Sequence, residues 1–323
     1  MAHTRVEKTN TNPSNMNTLH TLSYIIDRLA TYSTILYLTM ITPHKYLKNW
    51  TALYLTALLG RKSVFLAKDG TLSAKISARK LFKCLVATEY IYRRSKVPQY
   101  VRKISFNNTW MKIYCLNGSC ELKVQPEKIL IVSIPEVFNE IYNVNVRGMV
   151  VLDIGAYVGD SALYWLYKGA RKVIAVEPVP EHYESLLENA KGKPIIAINA
   201  SVGQKIPLLP NQVGLDTYGL TSSEKTTMQH LDVPVYKLLE LVETWKPDIV
   251  KMNCEGCEYA VIDEIVQLPS YGVKIIIVQF HQKKEHSMHR ALLYAQKYLG
   301  PPKITESIFT KNPRITCIWT TQM

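Results

Sequence analysis

The sequence predicts an α/β protein: a doubly wound sheet with a final antiparallel strand, preceded by an N-terminal helical and β-hairpin extension. Three observations carry this. Apolar runs such as MVVLDIG are unbroken, as in strands covered on both faces of a parallel sheet. From about residue 148 such strands alternate with helical stretches. The last two strand-like pieces, ITESIF and RITCIWT, are joined only by a TKNP turn, too short for a parallel return, so they pair antiparallel.

The elements follow in order. Residues 1–20 are polar and predict a disordered tail. Leu22, Ile25, Ile26, Leu29, Tyr32, Leu36 and Met40 recur at helical spacing, Pro43 interrupts, and a second helix is expected from Leu47 to Leu59 before Gly60. Next come a short strand SVFLAK, a turn at Asp69-Gly70, a basic helical run, and a hairpin of TWMKIYCL and CELKV around Asn117-Gly118. The division expected is a helical and basic accessory region over 21–130 and a catalytic domain over 131–323.

Within that domain a helix runs from Ser161 to Gly169, then strand KVIAVEP, then a helix opened by Pro180 and closed near Gly192. Strands IIAINA and DIVKMNC follow, then a helix ending before Pro269, strand VKIIIVQF and a helix up to Gly300. An open α/β sheet that ends antiparallel favours a methyltransferase-type, Rossmann-like sheet over a plain nicotinamide-binding one.

Composition excludes several classes. At 323 residues, with 47% apolar and 20% charged residues, the chain is globular and long enough for one large domain or two ordinary ones. Six cysteines, at 84, 115, 120, 254, 257 and 317, are too scattered for a disulfide scaffold. No signal peptide opens the chain, and its longest apolar stretches are too short to span a bilayer, so a cytoplasmic protein is expected. The charge is uneven: residues 61–112 hold thirteen Lys and Arg against Asp69 and Glu89, which is +11 of the chain's +13. This segment reads either as a site for an anionic partner (nucleic acid, acidic lipid or phosphorylated substrate) or as a solvated basic face.

The turn VVLDIGAYVGDSA is the most specific signal. Gly155 and Gly159 sit between strand and helix, beyond the carboxyl end of the strand, where open α/β sheets bind ligands. Asp153 at the strand end suits a positively charged amine better than a pyrophosphate, and Tyr157 stands where a dinucleotide site needs its middle glycine. Glu177, at the end of the second strand, can accept hydrogen bonds from ribose hydroxyls.

DIGAYVGDSA, EPVPEHYESLLENA, INASVG and KMNCEGCEY with FHQ downstream together resemble the FkbM family of S-adenosylmethionine-dependent methyltransferases, over about Glu136 to His281. The resemblance implies a class I methyltransferase fold, S-adenosyl-L-methionine as cofactor, and transfer to a hydroxyl of a sugar, glycan or small natural product. Carried over by position, Asp153, Gly155, Ala156, Tyr157, Gly159, Asp160 and Ser161 form the cofactor turn. Glu177 with Pro178, Asn199 with Ala200, and Asn253 complete the cofactor set. Lys251, Glu255, Gly256 and Glu258 match the signature K-x-D-x-E-G-x-E. Asn253 replaces its aspartate and Gln279 a glutamate of the next strand, so charge and basicity are lost at both positions.

KMNCEGCEY reads as a metal clip, a redox pair or the lip of a catalytic cleft. Ending the fourth strand places Asn253 to Glu255 at the carboxyl edge, which favours the cleft. A structural zinc needs four ligands and this C-x-x-C supplies two, so no metal is expected and the cysteines read as buried fillers. Methylating a hydroxyl requires a base; His281 is placed for that role, Glu255 for base or orientation, and Asn253 beside them, while His286 and His289 read as surface residues. The alternatives are an RNA methyltransferase using the basic segment and Tyr90, Tyr92, Tyr100 and Trp110, or a cofactor-binding protein with reduced catalysis. An acidic small-molecule or glycan acceptor is the leading partner; nucleic acid and a membrane surface rank below it.

Overall fold

The computed structural model describes residues 43–82, 85, 103–108, 110–115, 120–125, 141–206, 230–282, 286–308 and 313–321. The tail, the first expected helix, the Asn117-Gly118 turn and most of the basic run beyond residue 82 lie outside them.

Two short helices open the described chain, α1 (Pro43–Tyr46) and α2 (Trp50–Leu58). The helix expected from Leu47 starts later because Asn49 bonds across to the following segment. Its Oδ1 accepts from Leu66 N at 2.8 Å and its Nδ2 donates to Val64 O at 3.3 Å. The strand expected in SVFLAK shrinks for a related reason: Phe65 N donates to the Ser73 hydroxyl rather than to a neighbouring strand. What remains is β1 (Lys62–Ser63) paired antiparallel with β2 (Ile76–Ser77). The expected hairpin is present as β4 (Trp110–Cys115) and β5 (Cys120–Val124), and an unpredicted strand, β3 (Lys103–Asn107), makes it a three-stranded antiparallel sheet.

The larger unit runs β6 (Val150–Ile154), α3 (Asp160–Tyr167), β7 (Lys172–Val176), α4 (Pro180–Ala190) and β8 (Ile195–Ile198). It continues through a two-residue parallel pair, β9 (Ser201–Val202) with β10 (Val235–Tyr236), to α5 (Leu238–Trp245) and β11 (Ile249–Met252). It ends with α6 (Cys257–Ala260), α7 (Ile262–Ile265), β12 (Ile275–His281), α8 (Met288–Leu299), β13 (Lys303–Ile308) and β14 (Arg314–Thr320). Helix α5 went unpredicted although Leu238, Leu241 and Val242 give it a buried face. The single helix expected before Pro269 is α6, α7 and a 3-10 turn that runs through Pro269.

Seven strands form one sheet in the order β13-β14-β12-β11-β6-β7-β8. β14 inserts between β12 and β13, antiparallel to both, as the short TKNP connection requires. Alternation along β12 divides the interior. Ile275 and Ile277 join the core under α3 and α4, while Ile276, Val278 and Phe280 join the core under α5 and α8.

The accessory region packs into the first core, where Phe106, Leu122 and Val124 meet Trp165 and Leu186. Asn189 locks the contact: its Nδ2 donates to the carbonyls of Lys123 and Val158 at 2.9 Å, and its Oδ1 accepts from Lys123 N at 2.8 Å. Among the described residues no helix is long and apolar enough to cross a membrane.

Candidate active site

β7 and β11 flank β6 on opposite sides, so the sheet's connections diverge at the carboxyl end of β6, where the turn Gly155 to Gly159 lies. Gly155 N and Ala156 N donate to Val176 O, pinning the turn across the end of β7. Gly155 has φ +72°, and a Cβ there would stand 2.0 Å from Asn253 O; at Gly159, φ +89°, it would stand 2.9 Å from Leu186 Cδ1. The glycines therefore let the turn seat against β11 and α4. The sequence alone suggested that they make room for a ligand, and the protein's own backbone takes that space at Gly155.

Tyr157 adopts φ +50°, an unusual conformation for an aromatic residue. It directs its N–H to Glu177 Oε2 at 2.9 Å. Glu177 Oε1 accepts from Val179 N at 3.1 Å and lies 3.3 Å from His182 Nδ1. The Tyr157 and His182 rings meet edge to face at 4.4 Å. Asn199 braces the same corner by donating to the carbonyls of Glu177 and Pro178, and Ala200 is buried behind it.

Beneath the turn lies a sealed charge cluster. Asp153 is fully buried, and Lys251 Nζ stands 2.7 Å from its Oδ1 while donating to Gly155 O at 3.0 Å. Asp160 is buried in the first turn of α3 with Ser161. Burial pushes the Asp160 carboxyl up to about 7; Lys251 pulls it down and Asp153 adds to the rise. The amine that Asp153 meets inside the protein is thus Lys251.

The loop after β11 holds the second half of the site. Asn253 Nδ2 donates to the Tyr142 hydroxyl at 3.3 Å. Glu255, at φ +57°, sets Oε1 3.1 Å from His281 Nε2, and on the other side of the ring Glu258 Oε1 lies 3.3 Å from His281 Nδ1. Glu258 is fully buried and also accepts from Gly256 N at 2.8 Å and His281 N at 3.2 Å. Burial raises its carboxyl, but the hydrogen bond and charge of His281 with the loop N–H groups outweigh that and hold it below the ordinary value. The side chain of Glu255 keeps 34% of its surface exposed against 8% for His281, so Glu255 is the face that the array presents outward.

The cysteine reading is corrected. Cys254 and Cys257 form a disulfide, because the turn that begins α6 brings their Cα atoms to 5.5 Å. Glu258 completes a compact Cys254, Cys257 and Glu258 cluster, with Cys254 Sγ 3.3 Å from Glu258 Oε2. The N-cap of α6 is Gly256, which leaves Glu255 to His281.

The structure thus gathers the predicted residues into two groups. One is the β6–β7 corner from Asp153 to Ala200; the other is Asn253, Glu255 and His281 at the edge of β11 and β12. Sequence reasoning missed Tyr142, His182 and the buried role of Glu258. Only Glu258 carried a signal, as the last acid of the signature. His286 and His289 are exposed, as expected, yet His286 stacks on Tyr259 at 4.7 Å. Those two rings line a hollow of about 600 Å³ with Arg290 and Tyr294, and the Tyr259 hydroxyl donates to His281 O at 2.6 Å in its wall.

Residues 153–299 match the family model described as the methyltransferase FkbM domain, from the end of β6 to the end of α8. No curated protein matches the chain. Among solved structures, the chain is similar to Trm5b from Pyrococcus abyssi at 14% identity, 66% of this chain and TM-score 0.39, and it spans 56% of that protein's length. It is likewise similar to the P. horikoshii TYW2 in complex with MeSAdo (14% identity, 78% of this chain, 88% of that one, TM-score 0.39). The M. jannaschii tRNA m1G37 methyltransferase is a third such structure (14% identity, 82% and 77%, TM-score 0.38).

The site residues fit S-adenosylmethionine. A carboxylate has about four lone-pair sites, and Glu177 uses three of them on Tyr157, Val179 and His182, leaving one for a ribose hydroxyl where the sequence suggested a grip on both. Asn253 is only partly buried, and its Oδ1 takes no hydrogen bond among the described residues, a neutral acceptor suited to an ammonium.

Proposed function

We propose that this protein, whose residues 153–299 match the methyltransferase FkbM domain model, is an S-adenosylmethionine-dependent methyltransferase that methylates a hydroxyl oxygen on a sugar, glycan or small natural product. His281 serves as base and Glu255 orients the acceptor. The observation that carries the reading is the row Glu258, His281, Glu255, in which one imidazole is held between two carboxylates at the carboxyl edge of the sheet.

The chemistry follows from that row. Buried Glu258 fixes the ring by accepting a hydrogen bond from Nδ1–H, so Nε2 is the nitrogen that works. While Nε2 and Glu255 share a proton the array is idle. Release of that proton to water at the exposed Glu255 leaves Nε2 with a free lone pair, and Glu255 turns to the acceptor hydroxyl. The bound cofactor supplies an electrophilic methyl on a sulfonium. As the hydroxyl oxygen takes the methyl, its O–H bond breaks toward Nε2, and the products are a methyl ether and a neutral thioether. Glu177, Asn199 and Asn253 act by binding and orientation, and alignment itself supplies a large share of the rate. The neighbouring hollow, lined by the rings of Tyr259, His286 and Tyr294 with both Arg290 and Asp263, supports a ring-shaped polar acceptor.

The test is transfer of isotope-labelled methyl to a panel of uronic acids, phosphorylated sugars, neutral glycans and RNA. His281→Asn and Glu255→Gln are compared after calorimetry shows that both still bind cofactor. We expect labelled sugar ethers, a loss of roughly 100- to 10,000-fold in His281→Asn, and a smaller loss in Glu255→Gln. Labelled RNA, or an unimpaired His281→Asn, would overturn the assignment.

A further inference from the structure

We infer that the face of α2 docks the protein on an anionic lipid surface. Helix α2 has the sequence WTALYLTAL, with no charged residue on any face. A helix apolar all round is ordinarily buried or in contact with lipid. Here only Leu53 is fully buried, while Leu55, Leu58 and Leu59 are 64%, 77% and 66% exposed. Trp50, at the start of the helix, and Val64, tied to it through Asn49, are also exposed. A row of large aliphatic side chains left open to water marks an interaction site.

The patch is rigidly presented. Leu53 anchors it below, Asn49 ties its start to Val64 and Leu66, and the Trp50 and Tyr54 rings meet edge to face at 6.0 Å. At its end Arg79 reaches over to donate to Ala57 O at 2.8 Å and Leu58 O at 3.3 Å, which sets a guanidinium beside the exposed leucines.

Charge selects the occupant. Residues 43–82 contain Lys45, Lys48, Arg61, Lys62, Lys68, Lys75, Arg79 and Lys80 against Asp69 alone. Lys48 precedes the helix and Arg61 and Lys62 follow it, all exposed. The helix has no charged face of its own, so the cations come from the segments on either side of it and form a basic rim around the exposed leucines. Anionic headgroups would meet the cations while the leucines enter the acyl boundary.

The experiment is co-sedimentation of the full chain with vesicles of phosphatidylcholine alone or with one third phosphatidylserine, at low and high salt. The parent is compared with Leu55→Glu/Leu58→Glu and with Lys48→Gln/Arg61→Gln/Lys62→Gln, each checked by circular dichroism and for unchanged cofactor binding. We expect partition into the anionic vesicles only, weakened by salt, and reduced about tenfold or more by either variant. Absence of binding to anionic vesicles would overturn the proposal, as would unchanged partition of a folded leucine variant. A parent that is dimeric without lipid, and that Leu55→Glu/Leu58→Glu renders monomeric, would assign the face to a second copy of this chain instead.

Discussion

Lys251 and Asp153 stand directly opposite each other on the adjacent parallel strands β11 and β6, with the ammonium 2.7 Å from a carboxylate oxygen and both side chains sealed from solvent. The pair sits under the turn from Gly155 to Gly159, and Lys251 also holds the carbonyl of Gly155.

Removing one partner leaves the other charged and buried. Lys251→Met should therefore destabilise the protein by about 3 to 5 kcal/mol, the usual cost of breaking a buried pair. Lys251→Met/Asp153→Leu should recover a good part of that, because no charge is left stranded. Denaturant unfolding of the two variants checks this; a double variant no more stable than the single one would show that the pair is not an isolated unit.

Gly155→Ala and Gly192→Ala separate two costs. Both glycines have positive φ, +72° and +69°, so each alanine meets backbone strain of about 1 to 2 kcal/mol. At Gly192 nothing lies within 4 Å of the added carbon, whereas at Gly155 it would strike Asn253 O at 2.0 Å. Thermal unfolding should show a clearly larger loss for Gly155→Ala, and cofactor binding should fall only in that variant.

These residues also show what a sequence can and cannot reveal. The alternation of apolar runs with helices, and the short TKNP link, were enough for the sheet and its antiparallel end, because local spacing dictates both. Helix α5 went unpredicted although LLELVETW has a helical apolar face, because it is only eight residues long and opens on Lys237 rather than on a Ser, Thr, Asp or Asn cap. The partnership of Lys251 with Asp153 depends on which strands become neighbours, and residues 98 positions apart in sequence carry no local sign of that. The same holds for Glu258: its spacing within KMNCEGCEY was visible, but its burial under His281 was not. The cysteines were misread because a C-x-x-C closes or stays open according to the turn between the two residues.

The disulfide makes its own prediction. Unfolding in denaturant without reductant should leave Cys254 and Cys257 protected from alkylation, while Cys317, a buried free thiol whose burial raises it to about 12, becomes reactive as it reaches solvent. Peptide mass spectrometry before and after reduction reads the outcome. Alkylation of Cys254 and Cys257 without reductant would refute the pairing.

Asp160 ties stability to pH. Burial lifts its carboxyl from the ordinary 3.8 to about 7, so between those values the folded protein holds a proton that the unfolded chain has released. Stability on this account is fully present below about pH 4 and declines as pH rises toward 7. At 1.36 kcal/mol for each unit, the decline reaches on the order of 4 kcal/mol. Glu258 opposes it at the acid end: its lowered carboxyl contributes stability above the ordinary 4.5 that is lost as pH falls through its folded value. Asp160→Asn removes the first effect and leaves the second. Its unfolding free energy should hold nearly level from pH 5 to 7.5 where that of the parent falls. Parallel curves for the two proteins would mean that Asp160 is already ionised in the folded state, which would require Lys251 to reach it as closely as it reaches Asp153.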